Sequence, residues 1–205
     1  MTSFDTSLTT SVKNPVKVSL KIPLRPSAPF TARNLTDDQK YFLTQGWPFH
    51  SFDYPVEVLP GLWLSGIGFE NDLPGWCYKN GFSHILNASG SYAQKMFYRT
   101  KPSYYDIKYL ELDIEDTIGY PLQPYLSQAH DFIDNGLTNE GKVLIHCIWG
   151  QSRSVSCLIY FIMIKWGIKY DEALSLIRKV RPNAKPNSGF DTQLRAIDIG
   201  RRNTV

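Results

Sequence analysis

The stretch KVLIHCIWGQSRS, residues 142–154, constrains this chain more than any other. Its first part, "KVLIH", is almost continuously apolar, which suits a strand buried on both faces of a sheet rather than one with a solvent side. Val155 to Trp166 is mostly apolar again. That run is well short of the ~20 residues that cross a bilayer, so it predicts a helix buried in a core. A buried strand and a buried helix joined by a short polar loop both need other elements to cover them. The loop itself, with Cys147, Gly150, Ser152, Arg153 and Ser154, is not explained by packing.

The remaining segments can provide that cover. "VEVLPGLWLSG" (56–66) predicts two strands around a Pro-Gly turn, and "HILNAS" (84–89) and "IKYLEL" (107–112) predict further short strands. Leu122, Tyr125, Leu126, Ala129, Phe132 and Ile133 fall on one helical stripe, with Gly136 as its expected stop. "YDEALSLIRKV" predicts an amphipathic helix, "RPNAKPNSG" breaks it, and Phe190, Leu194 and Ile197 mark a last helix. Strands interleaved with helices imply a compact α/β domain whose central, largely parallel sheet is flanked by helices.

A length of 205 residues suits one such domain with an extension. Residues 1–34 combine Ser, Thr, Lys and four prolines with a net charge of +4, leaving about −1 on everything that follows. This composition predicts a flexible basic tail. Its "KVSLKIPL" spaces basic and apolar residues as docking peptides do, although a random basic segment reads the same way. Residues 35–53 hold Tyr41, Phe42, Trp47, Phe49 and Phe52, too many aromatics for a free tail, and are expected to pack on a domain spanning 54–200. That near-neutral domain offers no nucleic-acid-binding surface. Three cysteines at spacings of neither a disulfide framework nor a zinc site, and no apolar signal-peptide core, predict an intracellular protein of the cytoplasm or nucleus, without a membrane anchor.

Strand, short loop, helix is an arrangement that directs backbone N–H groups and the positive end of a helix dipole at one spot, which then binds anions. Cys147 closes the strand and Arg153 opens the helix, so the five residues between them must curl around whatever lies at the centre. Gly150 allows the bend. An arginine offers a planar fork for two phosphate oxygens, and the same positive surroundings lower a thiol pKa toward thiolate. These residue types in this order describe a nucleophile aimed at a bound phosphoryl group.

His146-Cys147-(x)5-Arg153-Ser154 resembles the signature of the cysteine-dependent protein tyrosine phosphatase superfamily, and its "GQSRS" ending is similar to the dual-specificity branch. Five other segments resemble that branch in order: "LPGLWLSG", "GFSHILNAS", "YLELDIEDT", "PLQPYLSQAHDFI" and "RPNAKPNSGFDTQL", covering roughly 54–197. The resemblance implies a protein tyrosine phosphatase-like fold in which Cys147 attacks phosphorus. Arg153 and the amides of Ile148, Trp149, Gly150, Gln151, Ser152 and Arg153 hold the phosphoryl oxygens, and Ser154 donates to the thiolate. His146 supports the loop rather than acting as a base. Asp116, in the position where the family keeps its general acid, protonates the leaving oxygen; Asp113 is the alternative, and a merely solvated acidic run with Glu115 the plainer reading. Asn87 and Asn187 match positions that brace nearby loops. Trp149 departs from the small residue common there, and either contacts a residue flanking the phosphoamino acid or packs on a neighbouring loop. Cys157 is expected only to pack.

The same resemblance implies a phosphoprotein substrate, docked in one reading through the basic tail, and no metal or cofactor. The lysine-free loop "IWGQS" argues against highly phosphorylated lipids, and the neutral domain against RNA ends. The compact domain favours phosphoserine and phosphothreonine alongside phosphotyrosine. The alternatives are a non-catalytic phosphopeptide-binding scaffold, which would typically lose the cysteine, the arginine or the acid, and a phosphatase for a non-protein ester.

Overall fold

A computed structural model describes residues 54–70, 72–91, 98 and 100–197; the expectations for segments 1–34 and 35–53 lie outside these described residues. The chain enters its sheet through the Pro-Gly hairpin, β1 (Val56–Leu59) and β2 (Leu62–Ser65). Gly61 makes the turn at φ +77°, a left-handed conformation that a side chain disfavours. There follow α1 (Leu73–Lys79), β3 (His84–Asn87), a 3-10 turn (Pro102–Tyr105) and β4 (Lys108–Glu111). The second half holds α2 (Gln123–Thr138), β5 (Val143–His146), α3 (Arg153–Trp166), α4 (Tyr170–Arg178) and α5 (Ser188–Arg195).

The strand order is β1-β2-β5-β3-β4. β1 and β2 are antiparallel, and every other pairing is parallel. β5 is therefore the central strand, and all four of its residues are buried. Its side chains alternate between two cores. Val143 and Ile145 join Leu62, Leu64 and Leu86 against α2, α3, α4 and α5, while Leu144 joins Ile85, Leu73, Cys77, Phe82 and Ile107 under α1 and the 3-10 turn. A strand covered on both faces has no polar side to show, and this accounts for the unbroken apolar run. The same reasoning applies to α3, buried at every position from Ser154 to Met163. Its Leu158, Ile159, Phe161 and Ile162 are fully buried, and side chains of this kind contribute about 1.5–3 kcal/mol each.

Gly136 is not the end of α2, as the stripe suggested. The helix runs on to Thr138 and closes through Glu140, at φ 55°, and a bond from the Gly141 amide back to the Gly136 carbonyl at 2.9 Å. Gly136 is instead a packing position. A Cβ there would stand 2.5 Å from Val143 Cγ2 and 3.1 Å from the His84 ring, so only glycine lets α2 lie this close to the sheet. α1 carried no sequence signal, because its "LPGWCYK" puts a proline and a glycine into barely two turns.

Two opposing effects decide the outcome of Gly136→Ala. Alanine gains about 0.5–1 kcal/mol of helix propensity, whereas overpacking a filled core costs about 1–3 kcal/mol. The neighbours are a β-branched side chain and a buried ring rather than flexible ends, so the variant should be less stable by about 1–2 kcal/mol in urea denaturation. A gain in stability would show that α2 can move off the sheet.

Candidate active site

Because β2, β5, β3 and β4 are mutually parallel, their C-terminal ends lie along one edge, where register places Ser65, His146, Asn87 and Glu111 level with one another. That edge is where open α/β sheets bind ligands. From it the chain leaves β5 through residues 147–152 to begin α3, and leaves β4 through 112–122 to begin α2.

All five carbonyls of loop residues 148–152 are bonded away from the loop's centre. Ile148 accepts from the Ile67 amide at 3.1 Å, Gln151 from the Lys185 amide at 2.8 Å, and Ser152 from the Ser156 amide and hydroxyl, both at 2.8 Å. Trp149 and Gly150 accept from the guanidinium of Arg181, at 3.2 and 2.8 Å. In a planar trans peptide the N–H points opposite to the C=O, so the amides of Trp149 to Arg153 turn inward. Gly150 sits at φ +59°, and a Cβ on it would stand 2.5 Å from the Ser65 carbonyl and 2.3 Å from Arg181. Arg153 has a buried Nε with no hydrogen-bond partner, while its Nη1 donates to the Ile114 carbonyl at 3.4 Å. A buried donor without a hydrogen bond is costly; the Asp116 carboxylate offsets its charge from 3.6 Å, and the inward amides are donors that an anion would satisfy.

Cys147 is buried beside this ring. Burial alone would raise its pKa, but the Arg153 charge and hydrogen bonds from the Ser154 hydroxyl and amide outweigh it, and the net shift is downward. The Ser154 Oγ donates to Cys147 Sγ at 3.2 Å. His146 is fully buried, with Nε2 2.7 Å from the Tyr98 hydroxyl. Burial, helped by the Arg153 charge, pushes the imidazole down to about 3, which keeps it neutral.

Asp116 reaches the loop from the β4 side. Its Oδ1 accepts from Ser152 Oγ at 2.6 Å and from Asn187 Nδ2 at 2.9 Å, and its Oδ2 lies 3.6 Å from Arg153 Nε. Asp113, the alternative, lies against Gly90 instead, where a Cβ would stand 2.0 Å from its Oδ1. Asn187 also caps α5, its Oδ1 accepting from the Phe190 amide at 2.9 Å, and its own amide donates to Ser152 Oγ at 3.1 Å. Asn87 accepts from Ser89 N and Oγ and donates to the Gly90 carbonyl and Tyr109 hydroxyl, all between 2.8 and 3.0 Å. Trp149 and Ile148 are half-buried, the latter against the smaller core. Cys157 is fully buried, and burial, then the nearby Cys147, pushes its thiol up to about 12.

Two members of this arrangement carried no signal that sequence reasoning could use. Arg181 stands in what reads only as a helix-breaking "RPNAKPNSG", yet it is 2% exposed and also donates to the Tyr54 carbonyl at 3.0 Å. Tyr98 is separated from His146 by 48 residues. Among the described residues no group of His, Cys, Asp and Glu is placed to hold a metal ion.

Comparison with known proteins agrees with this geometry. Residues 73–199 match the family model described as dual specificity phosphatase, catalytic domain. Dual specificity protein phosphatase 15 of Mus musculus is 33% identical over 139 residues, 68% of this chain and 55% of that protein, so the chain spans about half the length of this relative. The serine/threonine/tyrosine-interacting protein of Mus musculus is 34% identical over 145 residues, 69% and 63% of the two chains. The crystal structure of DUSP15 superposes with a TM-score of 0.60 at 29% identity, covering 70% of this chain and 86% of that one. The chain belongs to the dual specificity phosphatase family.

The depressed imidazole has a measurable consequence. An unfolded histidine takes up a proton near pH 6.5, whereas His146 resists protonation until about 3. Between those values the unfolded chain binds more protons, so stability falls as pH falls through this window. Urea midpoints of the parent and of His146→Gln, compared from pH 7 to 4, should show a shallower decline in the variant. Some slope should remain, because burial, then the Lys108 charge, also lowers His84. Equal slopes would mean that His146 is solvated.

Proposed function

We propose that this dual-specificity phosphatase domain hydrolyses phosphomonoesters on protein side chains, phosphotyrosine as well as phosphoserine and phosphothreonine, through a cysteinyl-phosphate. The observation that carries this reading is the ring of inward-facing amides closed by Arg153, next to a thiol whose pKa is depressed. In the first step the Cys147 thiolate attacks phosphorus and the P–O ester bond breaks, the leaving oxygen taking a proton from Asp116. In the second, Asp116 as carboxylate takes a proton from water, the water oxygen attacks phosphorus, and the S–P bond breaks. The Ser154 hydroxyl then steadies the departing thiolate. Arg153 and the loop amides take up the charge that spreads over the equatorial oxygens. Ser152 and Asn187, both bonded to Asp116 Oδ1, set the position of the acid. Asn87 and Tyr98 are assigned to bracing rather than chemistry, and the basic tail to docking the phosphoprotein.

A second reading has support in the likeness to a serine/threonine/tyrosine-interacting protein, which allows a phosphopeptide-binding role without turnover. Hydrolysis of p-nitrophenyl phosphate by the full chain separates the two, since binding alone releases no nitrophenol. Cys147→Ser should lower kcat by more than about 10²-fold, while phosphopeptide binding, measured by fluorescence anisotropy, survives on the remaining amides and Arg153. Arg153→Lys should lose more than about tenfold in kcat/KM, because a point charge cannot reproduce a two-pronged contact. Retention of activity by Cys147→Ser would overturn the covalent scheme, and retention by Arg153→Lys would overturn the two-pronged role of the arginine.

The acid is tested through leaving groups. A general acid helps most where the departing oxygen most needs a proton, so Asp116→Asn should slow phenyl phosphate hydrolysis by about 10²–10⁴ and a good leaving group much less. Asp113→Asn removes the same charge nearby without altering that dependence. If the leaving-group effect follows Asp113 instead, the acid lies three residues upstream.

A further inference from the structure

The Asp116 loop has little packing of its own. Residues 115–119 are all exposed, Ile118 at 68%, and a stretch with few apolar contacts opens easily unless something else holds it. That something is one face of α5, which the loop meets at successive points in chain order. Asn187, at the head of the helix, donates to Asp116 Oδ1 at 2.9 Å. Gly189 lies against the Ile118 peptide, where a Cβ would stand 1.8 Å from the carbonyl oxygen and 2.6 Å from its carbon. One turn on, Gln193 uses both ends of its carboxamide on the same segment: Oε1 accepts from the Leu122 amide at 2.8 Å, and Nε2 donates to the Tyr120 carbonyl at 2.9 Å. Leu122 is buried and its amide, at the start of α2, has no acceptor within that helix, so Gln193 satisfies a donor that would otherwise be orphaned. The Tyr120 hydroxyl in turn donates to the Asp113 carbonyl at 2.7 Å, tying the far end of the loop to its beginning. Phe190 and Leu194, fully buried in the main core, fix α5 itself.

We propose that Gln193 and Gly189 are positioning residues for the proton-transfer step, acting on the leaving oxygen through the Asp116 loop that they hold. The inference rests on the hydrolase reading of the site, with Asp116 as its acid. Gln193 bonds the backbone of Tyr120 and Leu122 and the Gly189 carbonyl of its own helix, and not residues 147–153. Loss of its bonds therefore displaces the acid while the cradle for the phosphoryl group stays formed. The loss is felt in proportion to how much the leaving oxygen needs a proton.

The test is a ratio within each full-length protein, kcat/KM for phenyl phosphate over that for p-nitrophenyl phosphate, in which the folded fraction cancels. Gln193→Met keeps the length of the side chain and removes both bonds. Gly189→Ala suits a helix but puts a methyl group where the Ile118 carbonyl lies. Each should lower the ratio by about ten- to a hundredfold, the scale of a catalytic group misplaced by ~1 Å. The inhibition constant of inorganic phosphate should stay within about twofold of the parent's, as for a change remote from the anion loop. Placed on Asp116→Asn, neither substitution should lower the ratio further, because the group they position is gone. A parent-like ratio in Gln193→Met, an equal fall on the Asp116→Asn background, or a matching loss of phosphate affinity overturns the proposal. A parent chain that hydrolyses neither ester overturns the hydrolase reading instead, and a parent-like ratio in Asp116→Asn overturns the acid, each taking this inference with it.

Discussion

Five consecutive carbonyls turned outward hold the rest of this structure to its purpose. A loop of free peptides would rotate to satisfy its own donors. Here the five carbonyls from Ile148 to Ser152 are tied to four residues outside the loop, Ile67, Arg181 (which takes two), Lys185 and Ser156, and the amides have no choice but to converge. Arg181 is the largest of these ties. Burying a guanidinium is unfavourable unless its donors are satisfied, and Arg181 finds its acceptors in the loop itself and in the Tyr54 carbonyl. The positive charge thus lies behind the loop while Arg153 stands in front, and an anion in the ring is attracted from both directions.

The sheet explains why the parts meet. Parallel pairing of β2, β5, β3 and β4 sends every exit to one edge, so residues more than thirty positions apart, such as Asp116 and Ser152, are brought within 2.6 Å. Asn187 completes the assembly from a third segment. One side chain caps α5 and touches Asp116, and its amide reaches Ser152. The helix start, Asp116 and the Cys147 to Arg153 loop therefore share a single residue, and moving any one of them disturbs the other two.

Legibility in the sequence followed how local each feature is. The strands, the buried helix and the Cys147 to Arg153 loop are written in adjacent residues, through an apolar run, a glycine at a left-handed bend and a helix start, and all could be read directly. Asp116 was legible only beside Asp113 and Glu115; what separates them is that Ser152 and Asn187 reach Asp116, while Asp113 lies against Gly90. Arg181 and Tyr98 were not legible, because their partners are 31 and 48 residues away and neither lies in a periodic pattern. Gly136 was misread for the same reason. A glycine near the end of a stripe looks like a stop, and only the approach of Val143 and His84 reveals it as a contact.

The three cysteines show how the site's chemistry separates from its packing. Cys77, Cys147 and Cys157 are all buried and all unbridged, so composition and burial treat them alike. Burial raises the pKa of Cys77, with the Asp72 charge adding to it, and raises that of Cys157 to about 12. Such thiols are inert apolar filler. Cys147 meets the same desolvation, and its pKa nonetheless falls. The difference lies in Arg153 and Ser154, which occupy the first turn of α3 and can reach Cys147 only because the loop doubles back to bring that turn beside the end of β5. Reactivity is therefore set by the curl of the loop and not by the cysteine, and the curl in turn is set by outward-facing carbonyls whose partners lie far along the chain.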